Sequence, residues 1–232
     1  EVGSPSSRSF IEAEAQRSKA AFVLEPAVGV KGMIKTFRKG VGGFRIRVEG
    51  RAAHAGADHE RGVNAIEELA SQILRIQAMT DYATGTTLNV GVVSGGSRPN
   101  VVPAAAEAAV DCRVSTMAEA DRVVAAMKSL QPVNPKAKLT VEGVLNRPPM
   151  ERTPAIVALF ERAKAYAAEL GLSLAETGTG GGSDGNFTAA LGVPTLDGMG
   201  AVGEGGHAQD EYLITKFMPE RTALLVRMLQ TT

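Results

Sequence analysis

A chain of 232 residues in which 44% of side chains are hydrophobic has the material for one or two globular cores. Lys plus Arg and Asp plus Glu each number 25, so no net field argues for a grip on nucleic acid or on an anionic membrane. No apolar run approaches the ~20 residues of a membrane-spanning helix, and the single cysteine, Cys112, excludes an internal disulfide framework and a thiolate-built zinc site. Cys112 is expected to pack as a small buried hydrophobe. The first residue is Glu, and no basic segment followed by an apolar stretch opens the chain. The sequence reads as cut from something longer.

In chain order, 4–17 predicts a short helix capped by Ser4 or Ser6, with Phe10 and Ile11 on its apolar edge. AAFVL (20–24) predicts a buried strand ending at Glu25-Pro26, the end of a strand at which open α/β sheets place ligand groups. In GGFRIRVEG, Phe44, Ile46 and Val48 alternate with Arg45, Arg47 and Glu49, the mark of a half-buried strand. Helical spacing of Ile66, Leu69, Ile73, Leu74 and Ile76 follows over 62–79. TTLNVGVVSGG and AEAAVDCRV read as two more strands, 118–130 as a helix and KLTVEGV (138–144) as a closing strand. The order βαββαβ is ferredoxin-like.

After residue 148 the α/β texture returns. Thr153-Pro154 opens a helix with a cap and a first-turn proline, and Gly171 sits just past its end. Short strands are expected near 172–176 and 193–197, and a last helix over about 216–230. The domains expected are therefore 1–31 with 148–232, interrupted by 32–147. The flanking pieces supply too few strands for a complete doubly wound sheet.

Several segments can carry chemistry. His207 lies among Gly203, Gly205 and Gly206, with Asp210 and Glu211 near enough in sequence to orient its ring. Glu25 is either a surface carboxylate or a metal ligand; a carboxylate and an imidazole without thiolate suit catalytic zinc. GGGSDG (180–185) either turns the chain, with Ser183 or Asp184 as a helix cap, or exposes amides to an anion or a carbonyl oxygen. His54 in RAAHAG, Asn100 in RPNVVP, Arg113 and Arg147 can together bind a carboxylate and polarise a carbonyl, although each alone also suits a solvated surface.

LEP (24–26), HAG (54–56), NVVP (100–103), DCR (111–113), GGGSD (180–184) and GGHAQDE (205–211), with EVGS at the start, jointly resemble the M20 metallopeptidases of the glutamate carboxypeptidase type over essentially the whole chain. The resemblance implies an α/β catalytic domain interrupted by a ferredoxin-like lid that often mediates homodimerisation. It implies a two-zinc site in which Glu1, Glu25 and His207 are ligands. His54 resembles the lid histidine that stabilises the oxyanion. Asn100, Arg113 and Arg147 resemble the groups that bind the substrate carboxylate, and Gly180, Gly181 and Gly182 the loop lining the substrate pocket. The substrate implied is a small peptide or an N-acyl amino acid. The family's His-x-Asp segment, bridging Asp and catalytic Glu would all precede Glu1. The expectation is thus a C-terminal portion, inactive alone, to be completed by an N-terminal chain. An acyl-amino-acid deacetylase of the same superfamily and a non-catalytic dimerisation module are the alternatives.

Overall fold

The computed structural model describes residues 3–231. In chain order, the first elements are α1 (Arg8–Gln16), β1 (Ala21–Val23), β2 (Ile34–Arg38), β3 (Gly40–Glu49), α2 (Ala65–Gln77) and β4 (Thr87–Gly95). They are followed by β5 (Ala105–Val114), α3 (Met117–Lys128), β6 (Lys138–Arg147), α4 (Pro154–Glu169) and β7 (Glu176–Thr179). The last are α5 (Gly185–Ala190), β8 (Thr195–Asp197), β9 (Gly203–Glu204), β10 (Tyr212–Leu213) and α6 (Met218–Gln230).

The chain divides into two compact units. One runs to Lys39 and resumes at Arg147; the other is Gly40–Asn146. The first crossing falls later than the 31/32 boundary expected from sequence, because β2 belongs to the outer unit's sheet. That sheet has the order β1-β8-β2-β7. β1 runs parallel to β8 and β2 parallel to β7, while β2 and β8 meet antiparallel at Lys35 and Asp197. Sequence reading missed β2 because Ile34, Lys35, Thr36 and Arg38 are all buried, so no alternation marks a polar face.

The strand expected near 172–176 lies further on, at Glu176–Thr179. Leu172 and Leu174 lean on the apolar core, and regular pairing with β2 starts only at Ile34 and Glu176. α1 likewise begins at Arg8, beyond the expected start at residue 4. Thr153 caps α4 by accepting from the Ile156 amide, and Ile156, Leu159, Phe160, Ala163 and Ala167 form its buried stripe.

The inserted unit has the sheet order β4-β5-β3-β6, with β3 and β4 both antiparallel to β5. This is the ferredoxin-like arrangement. The inward residues of β3, Phe44, Ile46 and Val48, meet Leu69 and Ile76 of α2 and Val123 and Met127 of α3 in one core. A fully buried aliphatic of this kind contributes about 1.5–3 kcal/mol. The Asn64 side chain caps α2 by accepting from the Ile66 and Glu67 amides, which fixes where the helix starts. Cys112 lies within the same core, as its composition suggested.

Candidate functional site

In the outer unit, the end of β1 continues alongside the segment after β8. The Met199 amide donates to the Val23 carbonyl at 3.0 Å, Gly200 to Glu25 at 3.1 Å and Ala27 to Ala201 at 2.8 Å. Gly200 is required there, since a Cβ would stand 2.2 Å from the Leu24 carbonyl oxygen. This two-segment ribbon holds Glu25, half-buried, just past the carboxyl end of a parallel strand. Beyond it the chain folds into the small β9/β10 hairpin, whose tip carries His207. His207 is exposed and adopts φ +69°, an uncommon left-handed backbone for a residue with a side chain.

A cavity of about 300 Å³ opens between Pro26 and Ala201 of the ribbon and Glu204, Gly206, Glu211 and Tyr212 of the hairpin. The immediate neighbours of Glu25 and of His207 thus wall the same space. Among the described residues, no three His, Cys, Asp or Glu side chains form a metal-holding group. Glu1, the remaining ligand expected from sequence, lies outside the described residues.

The Gly-rich turn is fastened from beneath. Arg38 donates to both oxygens of Asp197, at 2.9 and 2.7 Å, and through Nη1 to the Gly181 carbonyl at 3.0 Å. Ser183 Oγ donates to the same Asp197 carboxylate and accepts from the Gly185 amide at 3.1 Å. Asn186, fully buried, accepts from the Ser183 amide and donates to the carbonyls of Lys39 and Pro148. Above this anchor the turn is open: a Cβ on Gly180 would meet nothing within 4 Å.

Asp184 occupies the cap position of α5 but makes no cap bond. It pairs instead with Arg147 Nη1 at 2.8 Å and accepts from Ser4 Oγ at 2.6 Å. Burial opposes its ionisation, but the bonds from Ser4 and Arg147 outweigh that and hold the carboxyl below its usual range. The Arg147 guanidinium also lies 4.6 Å over the Phe187 ring, with Arg8 4.7 Å from the same ring.

In the inserted unit, the HAG and NVVP segments meet. His54 bridges Val101, and the Ala55 amide donates to the Asn100 carbonyl at 3.0 Å. Of the four residues that the sequence grouped, His54 and Asn100 are therefore neighbours. The Nδ1 atom of His54 accepts from the amides of Gly56 and Ala57, both at 3.1 Å. In the neutral ring this puts the proton on Nε2, leaving an exposed donor. Arg113 binds both oxygens of Asp111 on its own strand, at 2.8 and 3.0 Å.

Comparison with known proteins bears on these motifs. Residues 36–132 match the family described as a peptidase dimerisation domain, the M20 dimerisation domain. Carboxypeptidase G2 of Pseudomonas sp. is 30% identical over 236 residues, covering 99% of this chain and 56% of that protein. Residues 36–132 are thus similar to an M20 dimerisation domain, and the chain as a whole is similar to carboxypeptidase G2. One of the subunits of p-aminobenzoyl-glutamate hydrolase from Escherichia coli is 42% identical over 71 residues, or 30% of this chain and 16% of that protein. Among solved structures, aminopeptidase PepT from Bacillus cereus superposes with a TM-score of 0.78 at 24% identity, over 99% of this chain and 62% of that one, a likeness of fold. The chain spans about half the length of the carboxypeptidase it matches. Its α/β unit is interrupted by the dimerisation domain, as the sequence pattern led one to expect.

Sequence reading missed Lys35, Arg38, Asp197, Asn186 and Arg221. The one local signal was Asp197, a charged residue in the otherwise apolar stretch VPTLDG.

Proposed function

We propose that this chain supplies the ligand-bearing and substrate-contacting portion of a zinc-dependent M20 exopeptidase that hydrolyses the amide bond to a C-terminal, glutamate-like amino acid. The reading rests chiefly on the shared cavity beside Glu25 and His207. The substrate class is supported by the names of the two relatives, a carboxypeptidase and a p-aminobenzoyl-glutamate hydrolase.

Glu25 and His207 are the donors that would hold zinc, and a carboxylate with an imidazole fits that ion in kind. Two donors are fewer than a closed site needs; Glu1 is a third in this proposal, and the rest must come from outside the chain. Bound zinc supplies a water of lowered pKa and polarises the scissile carbonyl. His54 would donate its Nε2–H to the developing oxyanion. Asn100 lies beside His54 and Arg113 near the opposite end of β5, so each would bind a substrate carboxylate but not the same one within one protomer. Arg147 would bind one by exchanging Asp184 for it. Gly180, Gly181 and Gly182 would line the substrate pocket. No residue here is assigned as the general base, so the chain alone is proposed to be inactive.

Zinc titration of the chain by calorimetry tests this reading. Binding should be lost in both His207→Ala and Glu25→Gln, and p-aminobenzoyl-glutamate should survive incubation with the zinc-loaded chain. Unaltered zinc binding in both variants would remove the metal assignment. Hydrolysis by the chain alone would remove the assignment of the base to a preceding segment.

The same proposal includes a homodimer through the inserted unit. β4 is an edge strand with Val92 and Val93 exposed. Beside it, Ile66 touches Gly95 and Gly96, and the Gln77 side chain accepts from the Val90 amide, so this stripe of α2 borders the edge. Leu74, on that stripe, is 73% exposed. An apolar edge of this kind invites a second copy. Leu74→Glu with Val92→Lys should convert a dimer to monomer in sedimentation; an unchanged dimer would place the interface elsewhere.

A further inference from the structure

We propose that Asp197 is a positioning residue that sets two parts of the M20 site at once, the Glu25 strand end and the Gly-rich turn. This rests on the reading of Glu25 as a metal ligand given above. Asp197 closes β8 and is fully buried. Three side chains converge on its carboxylate, and each holds a different piece of backbone. Arg38, bound to both oxygens, also grips the Gly181 carbonyl at 3.0 Å. Ser183 Oγ, bound to one oxygen, receives the Gly185 amide at 3.1 Å. Lys35 Nζ stands 3.7 Å from the other oxygen and donates to the Pro26 carbonyl at 2.8 Å, one residue past Glu25.

Arg38, Lys35 and Ser183 do not line the cavity beside His207. A hydrogen-bonded network in a low-dielectric interior is cooperative: loosening one arm weakens the others through the shared anion. A shift at the turn is therefore transmitted to the carbonyl after Glu25, and the reverse.

Amide hydrogen exchange on the 232-residue chain tests the coupling, with two substitutions on opposite arms. Ser183→Ala removes the acceptor of the Gly185 amide and, among the described residues, breaks no hydrogen bond to 24–27. It should raise exchange at Gly185 and also, roughly three- to tenfold, at Gly200 and Ala27, with amides of α4 unchanged. Lys35→Met frees the Pro26 carbonyl and should raise exchange at Gly185 by a comparable factor. If each substitution accelerates only the amides on its own arm, Asp197 is two local anchors and the proposal falls. Should Lys35→Met fail to fold, the Gly200 and Ala27 amides of Ser183→Ala decide alone. Zinc affinity is measured in parallel: a severalfold loss in Ser183→Ala is expected. A wild-type chain that binds no zinc would overturn the metal reading of Glu25, while the exchange data would still decide the coupling.

Discussion

The two units use buried polarity in opposite ways. In the inserted unit the core is apolar, and its deeply buried carboxylate, Glu68, is met by the amides of Val133 and Asn134 and by Gln72, with Arg75 acting on it through its field rather than by direct contact. Its ion pairs, such as Arg122–Glu119 and Arg113–Asp111, sit toward solvent. In the outer unit, Lys35 and Arg38 are buried against a single carboxylate, Asp197, and Arg221 spends its guanidinium on the carbonyls of Gly32, Gly198 and Gly200. The difference teaches where precision is located. The inserted unit is stabilised by surface removed from water, which is non-directional. The outer unit commits directional bonds to loop carbonyls beside the candidate site, at the desolvation cost of buried charge.

Asp197→Ala breaks this comparison most severely. It leaves Arg38 and Lys35 buried and unpaired, and should cost about 3–5 kcal/mol. Ile46→Ala in the inserted unit should cost roughly 2–4 kcal/mol, as a cavity with no electrostatic component. Urea denaturation followed by hydrogen exchange should place the first loss in the outer unit and the second in residues 40–146. A larger loss for Ile46→Ala would reverse the ranking of charge over packing.

The smallest effect sharpens the surface side. The bond from Arg122, with help from Thr86, holds the Glu119 carboxyl down to about 2. A carboxylate with a depressed pKa contributes stability above the unfolded value of about 4.3, and that contribution is lost as pH falls through the folded value. Glu119→Gln should therefore be less stable than the parent at neutral pH by less than about 1 kcal/mol, because Arg122 is open to water. The gap should close between about pH 4.3 and pH 2. A gap that persists at pH 2 would assign it to packing.

The same contrast governs what the sequence discloses. The inserted unit was legible because β3 alternates and α2 repeats every three or four residues, and both periods follow from one face meeting a core. The boundary at β2 was not, because a strand buried on both faces leaves no period, and β7 was placed too early because Leu172 and Leu174 lean on the core just ahead of it. His207 and Glu25 stood out by their setting, among glycines and at a strand end. Arg38, Asp197 and Ser183 did not, because their partnership joins β2, β8 and a turn far apart in sequence. His54 and Asn100 each had a motif, but only the pairing of the two segments makes them neighbours.

Cys112 has a practical consequence. It is the single cysteine of the chain, and burial pushes its thiol up to about 11, so at neutral pH almost none is thiolate. A maleimide or alkylating dye should pass it by while the fold holds. The chain therefore comes with a silent background for site-directed labelling. A cysteine placed at the hairpin tip beside His207, or on the open rim of the Gly-rich turn, would carry a fluorophore or spin label to that site alone. Labelling at Cys112 itself would become a clock for opening of the inserted unit's core.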